Sequence, residues 1–378
     1  MRNSWNLKDI DNLKKMMKQN IHPIEIAKTL QRSYDSVCGK IKSIKREEKI
    51  GIKPYEKTEG KFKNEEIVEE TKKYFEAAKG IIHKYDDLYK NIKLKTSFSS
   101  AKQTEDQVLL FSDMHTGMIN KAPITGEITY NPEIQKKELQ TLMEGLYRFY
   151  QLYKPSYNIE TFYIFSLGDL ITNDRIYEGQ KMEIAFGVGI QITETLEYVS
   201  DMIRKLLEIY PRIVYINIVG NHGRTTPQPI SEDATSNFEY LLGISLKERF
   251  AGNKRVEIIL PDDYSYSYTI KNHRYLLAHG NTISGSTLNS IERAAKDIAN
   301  LVERDYYDVI TIGHFHSCYE LPSISPSTTL LVNGCFIYKD DYAYTKLRKH
   351  STAKQYLFNV SKKSAMHNLQ KVDLRWNK

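Results

Sequence analysis

Val214-Tyr215-Ile216-Asn217-Ile218-Val219-Gly220-Asn221-His222 is an apolar run of strand length that stops on a glycine and then shows an amide and an imidazole. β-Branched and aromatic residues this dense read as a strand buried on both faces, as in the middle of an α/β sheet. Four other runs end the same way. Val108–Phe111 leads into Ser112-Asp113-Met114-His115, and 162–167 leads into Gly168-Asp169. Residues 275–278 lead into His279-Gly280, and 309–312 into Gly313-His314-Phe315-His316. Helical patterns over 133–152, 189–209, 233–249 and 286–304 alternate with them, and strand-like pieces at 328–332 and 355–360 close the series. From about residue 105 the expected fold class is therefore α/β.

In α/β folds ligands collect beyond the carboxyl ends of strands, so five such ends can converge on one pocket. Five of the ten histidines lie in these endings. In an extended chain alternate residues face one side, so Asp113-x-His115 and His314-x-His316 are each expected to aim two ligands into that pocket. A mixed set of carboxylate, imidazole and amide oxygen suits manganese, iron or zinc better than magnesium or calcium. A carboxylate shared by two such ions would hold them about 3.5–4 Å apart, which serves in-line displacement at phosphorus. Taken singly, a Gly-Asp or Gly-Asn-His is a turn and a lone histidine is structural; the ordered set carries the chemistry. Arg224, just beyond His222, suits a bidentate phosphate clamp or, equally, a surface salt bridge. His273, His350 and His367 fit no ending.

In order, D-x-H, G-D, G-N-H, H and G-H-x-H, these five motifs resemble the calcineurin-like metallophosphoesterase superfamily over residues 105–320. The resemblance implies a two-sheet sandwich flanked by helices. It implies that Asp113, His115 and His316 hold a first divalent ion, that Asn221, His279 and His314 hold a second, and that Asp169 bridges them. His222 is then a proton donor to the leaving oxygen rather than a metal ligand. From their positions beside His222, Asn221 and Arg224 are the expected substrate-binding residues. Manganese is the expected metal, with iron, zinc or magnesium as alternatives. The chain departs from the protein Ser/Thr phosphatases of that superfamily, which carry Asp-Arg-Gly after the second motif and Glu after Asn-His. Here those places read Leu170-Ile171-Thr172-Asn173-Asp174 and Gly223-Arg224. The carboxylate that orients His222 is thereby left open, and Asp174 is the expectation. Val332-Asn333-Gly334-Cys335 with Asp340-Asp341-Tyr342-Ala343 resembles the C-terminal part of phage-encoded members.

The charge is uneven. Residues 1–50 hold 12 Lys/Arg against 6 Asp/Glu, so +6 of the net +7 lies there and +1 remains for the other 328 positions. A compact basic module is the electrostatic footprint of a nucleic-acid partner, although a charge run alone also describes a solvated face. Helical spacing places Leu7, Ile10, Leu13, Met16 and Met17 on one stripe and Ile24, Ala27 and Leu30 on a second, opened by Pro23. Ser33 is the expected N-cap of a third helix, with Val37, Ile41 and Ile44 inward and Lys40, Lys42, Lys45 and Arg46 elsewhere on its surface. The run Ile26-Ala27-x-x-Leu30-x-Arg32-Ser33-x-x-Ser36-Val37 resembles the second and third helices of a helix-turn-helix, which implies a DNA partner for residues 1–50. The expected organisation is a helix-turn-helix-like domain at 1–50, a helical connector at 51–104 and a catalytic domain at 105–378.

Three cysteines, Cys38, Cys318 and Cys335, show no C-x-x-C pair and suggest neither a disulfide framework nor a thiolate zinc site. No run approaches the ~18–20 apolar residues of a membrane span, and no signal peptide is read at the N-terminus. A cytoplasmic protein is expected, in the host cytoplasm if phage-encoded. The sequence sets no oligomeric state; nucleases of the superfamily are often dimers, so the resemblance admits a homodimer. Of the substrates, a DNA phosphodiester is expected first. The alternative is a small-molecule or nucleotide phosphatase or phosphodiesterase with an N-terminal interaction module, motivated by the near-neutral charge of residues 51–378. A DNA-binding regulator with a relic site is disfavoured by the completeness of the ligand set.

Overall fold

The computed structural model describes residue 5 and residues 7–50, 102–122, 124–227, 233–283, 285, 287–302, 307–325, 328–340, 343–344 and 351–375. The chain divides into two compact units, Met1–Ser97 and Phe98–Lys378. The connector expected at 51–104 lies almost wholly outside the described residues.

In the first unit, α1 (Leu7–Lys18), α2 (Pro23–Thr29) and α3 (Tyr34–Ile50) surround a small core of Leu13, Ile26, Ala27, Val37 and Ile44. Pro23 opens α2 at its first helical position, where its missing N–H costs nothing. The Ser36 amide donates to Ser33 Oγ at 3.3 Å, so Ser33 caps α3 as its position predicts. Ile24, expected inward, is 48% exposed. The inner stripe of α2 runs instead through Ile26, four residues before half-buried Leu30, with Ala27 beside it. Arg32 ties the connection before α3 to α1 through Asp9 at 2.7 Å, and its guanidinium lies 4.3 Å over the Trp5 ring.

The second unit contains thirteen strands among its described residues. These are β1 (Gln103–Phe111), β2 (Asn120–Lys121), β3 (Ile128–Tyr130), β4 (Tyr157–Leu167), β5 (Arg212–Ile218), β6 (Val256–Ile259), β7 (Ser265–Ile270), β8 (His273–Ala278), β9 (Val309–Ile312), β10 (Tyr319–Ser325), β11 (Thr328–Val332), β12 (Lys354–Ser361) and β13 (Ser364–Asp373). Its helices are α4 (Pro132–Tyr153), α5 (Val188–Leu206), α6 (Phe238–Arg249) and α7 (Leu288–Val302). One sheet runs β13-β12-β1-β4-β5-β6 and a second runs β10-β11-β9-β8-β7. Within the first, β1, β4, β5 and β6 are parallel; within the second, β8, β9 and β11 are parallel.

The pleat explains the layering, because successive side chains point to opposite faces. Val108 and Leu110 of β1 join Phe165, Val214, Tyr275 and Val309 between the two sheets. Leu109 and Phe111 face the other way, onto Leu142 and Leu146 of α4 and Val199 and Ile203 of α5. On the outer face of the second sheet, Leu276, Ile310 and Leu330 pack on Ile291 and Ala295 of α7. The result is a helix, sheet, sheet, helix sandwich, as the sequence reading expects. Where a helix is expected from 233, a short 3-10 turn at Ala234–Ser236 stands first. Asn237 then caps α6, its Oδ1 accepting the Glu239 amide at 2.8 Å.

Candidate metal centre

The carboxyl ends of β1, β4 and β5 in one sheet and of β8 and β9 in the other meet at one place. The ligand-type residues follow directly, and each lies past the end of its strand. Asp113 and His115 do not continue β1 as an extended chain: their φ values are +53° and +48°, and those of His314 and His316 are +68° and +52°. This corrects the expectation of alternation along an extended segment. The backbone turns because it bonds to the neighbouring loop, with Asp113 N donating to Gly168 O and His115 N to Asp169 O, both at 3.0 Å. Asp169 at +54° and Asn173 at +72° share the left-handed conformation. Non-glycine residues enter it at a cost of about 1–2 kcal/mol each, and such strain persists where surrounding structure over-determines it. Gly168, itself at +88°, lies against the Gly220 backbone so closely that a Cβ would stand 2.6 Å from the Gly220 nitrogen. That contact brings the loops after β4 and β5 together.

The side chains converge in three overlapping groups: Asp113, His115 and His316; His115, Asp169 and His222; and Asp169, His279 and His314. In each, one donor atom per residue lies within 4.8 Å of the others. His279 Nδ1 is held by Leu167 O at 2.7 Å, which turns Nε2 towards Asp169 Oδ2 at 3.0 Å and Asn221 Oδ1 at 3.1 Å. His316 repeats the arrangement. Its Nδ1 meets Asp340 Oδ2 at 2.5 Å, and its Nε2 faces His115 Nε2 at 3.2 Å and Asp113 Oδ1 at 3.5 Å. An imidazole anchored through one nitrogen and aimed by the other at a knot of lone pairs is the arrangement of a metal ligand. His115 Nε2 and His316 Nε2 thus face each other beside the Asp113 carboxylate, and that donor chemistry fits divalent cations.

His222 stands at the junction. Its amide donates to Asp169 Oδ1 at 2.8 Å, and its ring is 4.6 Å from that of His115, edge to face. The expectation that Asp174 orients it is corrected: His222 Nδ1 donates to the backbone carbonyl of Thr172 at 2.7 Å, while Asp174 pairs with Arg175 at 2.9 Å. A main-chain carbonyl fixes a tautomer as well as a carboxylate does. Arg224 Nε donates to Asn221 O at 2.9 Å, keeping this side chain on the site loop. His273 and His367 lie elsewhere, against Ser361 O and Glu105. His350 is outside the described residues.

Two residues outside the five motifs support the centre: Glu239, which no sequence pattern singles out, and Asp340, which the sequence marks only within the Asp340-Asp341-Tyr342-Ala343 stretch. Glu239, 1% exposed in the first turn of α6, accepts the amides of Asp169 (3.2 Å), Leu170 (2.5 Å), Ile171 (3.3 Å) and Gly220 (2.7 Å). One carboxyl thus clamps the loops after β4 and β5. Asp340, 1% exposed, carries the His316 contact and accepts the Ala343 amide at 3.2 Å. Glu239 had no local signal, because an acid early in a helix reads as a surface residue favoured by the helix dipole; the signal at Asp340 did not name His316 as its partner.

Electrostatics follow from burial and charge. Burial raises the Asp169 carboxyl, but the imidazoles of His279 and His222 outweigh it and hold Asp169 well below the usual carboxylate range. Burial opposes charge on His279 and His316 too; Asp169 nonetheless brings the first up to about 9, and Asp340 with Asp113 brings the second up to about 10. Burial, then the charge on His279, lowers His314 to about 3, and burial with His222 and His316 keeps His115 well below its ordinary value. Burial, then Asp169, pushes Glu239 up to about 7 against its four N–H donors.

A prediction follows from the sign of these shifts. At pH 7 the metal-free site holds protons on His279 and His316, and a metal must displace them, so affinity rises with pH and levels off above about 9–10. Calorimetric titration with Mn2+ at pH 7, in buffers of different ionisation enthalpy, is expected to show release of about two protons per chain. Binding without proton release, or affinity falling as pH rises from 7 to 9, would contradict this.

No family model and no curated protein sequence matches the chain. Solved structures do show similarity. Vacuolar Protein Sorting 29 from Cryptosporidium parvum is 13% identical, with 68% of this chain and 86% of that one covered and a TM-score of 0.30. Wild-type Vps29 from Entamoeba histolytica, complexed with Zn2+, is 12% identical over 71% and 99% of the two chains, with a TM-score of 0.33. The sulfate thiohydrolase SoxB from Thermus thermophilus, in complex with glycerol, is 11% identical over 73% and 57%, with a TM-score of 0.30. At these scores the likenesses carry no weight for the site or its chemistry. Among the described residues no helix is long and apolar enough to cross a membrane.

Proposed function

We propose that the chain is a metal-dependent phosphoesterase and that its substrate is a DNA phosphodiester. The observation that carries this reading is the overlap of the three groups: Asp113, His115 and His316 adjoin Asp169, His279 and His314, and His222 sits where they meet. We assign the first three residues to one divalent ion and Asn221, His279 and His314 to a second, with Asp169 reaching both. Manganese fits this donor set, with iron, zinc or magnesium as alternatives. Divalent ions held there supply charge stabilisation at phosphorus and acidify water. Anchored through Nδ1 on Thr172, His222 presents Nε2 for proton transfer. Water adds to phosphorus and gives up a proton to solvent, the P–O bond breaks, and the leaving oxygen takes a proton from His222 Nε2, which solvent then restores. Arg224, tied to the Asn221 carbonyl, is assigned to a phosphate oxygen of the substrate.

The basic charge of residues 1–50 supports DNA as the partner, because phosphate neutralisation supplies most non-specific affinity. We read α1–α3 as a helix-turn-helix-like module, with four residues joining its last two helices. The near-neutral remainder of the chain favours the second reading, a phosphatase or phosphodiesterase for small molecules or nucleotides.

Incubation of the full chain with Mn2+ and linear, nicked or single-stranded DNA separates the two readings. DNA cleavage abolished by a chelator is expected; no cleavage beside rapid hydrolysis of a small phosphate ester favours the second. In the full chain, Lys40→Glu with Lys42→Glu is expected to lower the salt dependence of DNA binding by about 1–2 units of log–log slope. An unchanged slope would remove residues 40 and 42 from the DNA contact.

A further inference from the structure

Between the second and third motifs, residues 173–187 build a rim beside His222 that the metal ligands do not require. Gln180, 1% exposed, accepts the Ile176 amide through Oε1 at 2.6 Å and donates through Nε2 to Thr172 O at 2.7 Å. This Thr172 carbonyl is the one that holds His222 Nδ1. Glu183 O accepts the Ile119 amide at 2.7 Å and the Ala185 amide donates to Gly117 O at 2.8 Å, so the rim is also fastened to the loop after β1. Gln191 takes the Asn173 amide at 2.6 Å and donates to Phe186 O at 2.9 Å, closing its base.

What this scaffold presents is Tyr177. The residue is 41% exposed, its hydroxyl donates to Glu183 Oε2 at 2.7 Å, and its ring centroid lies 6.4 Å from that of His222 at 77°. A large aromatic exposed to solvent while its hydroxyl is fixed has surrendered most of its freedom already. Stacking against it then costs little further ordering.

We propose that Tyr177 is a stacking platform for the nucleobase next to the scissile phosphate, so that this site prefers phosphoesters bearing a base over base-free ones. The proposal rests on the phosphoesterase reading and names the substrate class for it. The partner group is a π-face that every base possesses, whether in a nucleotide or in an unstacked strand, and such stacking is worth about 1–3 kcal/mol per base. A Tyr177 that merely confined the His222 ring would affect all phosphoesters alike.

Calorimetry on the Mn2+-loaded full chain compares adenosine 5′-monophosphate with ribose 5-phosphate. Wild type is expected to bind the nucleotide on the order of tenfold more tightly. Tyr177→Ala should bring that ratio near one with ribose 5-phosphate affinity unchanged, and Tyr177→Phe, which keeps the ring, should retain it. A wild-type ratio near one both here and in the oligonucleotide arm, a ratio unchanged in Tyr177→Ala, or equal weakening of both ligands would overturn the proposal. A second arm uses a single-stranded oligonucleotide and its abasic counterpart. Tyr177-dependent preference in this arm alone assigns the platform to a strand, and preference in both extends it to free nucleotides. Loss of DNA cleavage with base preference intact would sink the nuclease reading and leave this one standing.

Discussion

Asp169→Asn is expected to empty the centre of metal and to lower hydrolysis by on the order of a thousandfold or more, since a centre supplying several kcal/mol of charge stabilisation accounts for that much rate. The side chain is buried at 1% exposure, and its two oxygens serve different neighbours. Oδ1 takes the His222 amide at 2.8 Å and Oδ2 faces His279 Nε2 at 3.0 Å. Asparagine keeps the shape but removes the charge that draws cations to the junction of the ligand groups. His279 then sheds its proton instead of remaining as an unpaired buried cation, so the fold should survive. Metal analysis and circular dichroism on the purified variant check both halves. Full metal content with near-normal turnover would remove Asp169 from the bridging role.

His222→Ala is expected to act differently: turnover falls by about 10²–10⁴-fold, the range of a lost general acid, while metal content is unchanged. The distinction follows from where the ring is anchored. His222 is anchored through Nδ1 on the Thr172 carbonyl and borders His115 at 4.6 Å, and its Nε2 is assigned to the leaving oxygen, so the ions keep their own ligands when the ring is removed. The defect should also depend on the leaving group. An ester with an acidic leaving group such as p-nitrophenol departs without a proton, so its hydrolysis is expected to suffer far less than that of DNA. Equal losses on both esters, or loss of metal with the ring, would show that His222 is a ligand or a structural residue.

Much of this was legible in the chain because strands buried on both faces leave continuous apolar runs. Runs 162–167 and 214–219 mark β4 and β5 for that reason, and the polar residues at their ends stand out against them. Strands of mixed burial left no such trace. β7 reads Ser-Tyr-Ser-Tyr-Thr-Ile and β13 is half-buried along most of its length, so neither pattern announces a strand. The same limit applies to the support of the site. Glu239 clamps Asp169 from 70 positions away and Asp340 holds His316 from 24 away, pairings that only folding creates. Thr172 was invisible for another reason: the group it offers His222 is a backbone carbonyl, which every residue has. The left-handed turns at Asp113, His115, His314 and His316 were hidden too, since periodicity carries a strand's alternation past the point where the strand stops.

The central claim is that two ions share this centre, and anomalous diffraction from crystals of the full chain soaked in Mn2+ tests it most directly. Two peaks are predicted, one against Asp113, His115 and His316 and the other against Asn221, His279 and His314, with Asp169 touching both. A single peak, or none in contact with Asp169, would contradict it.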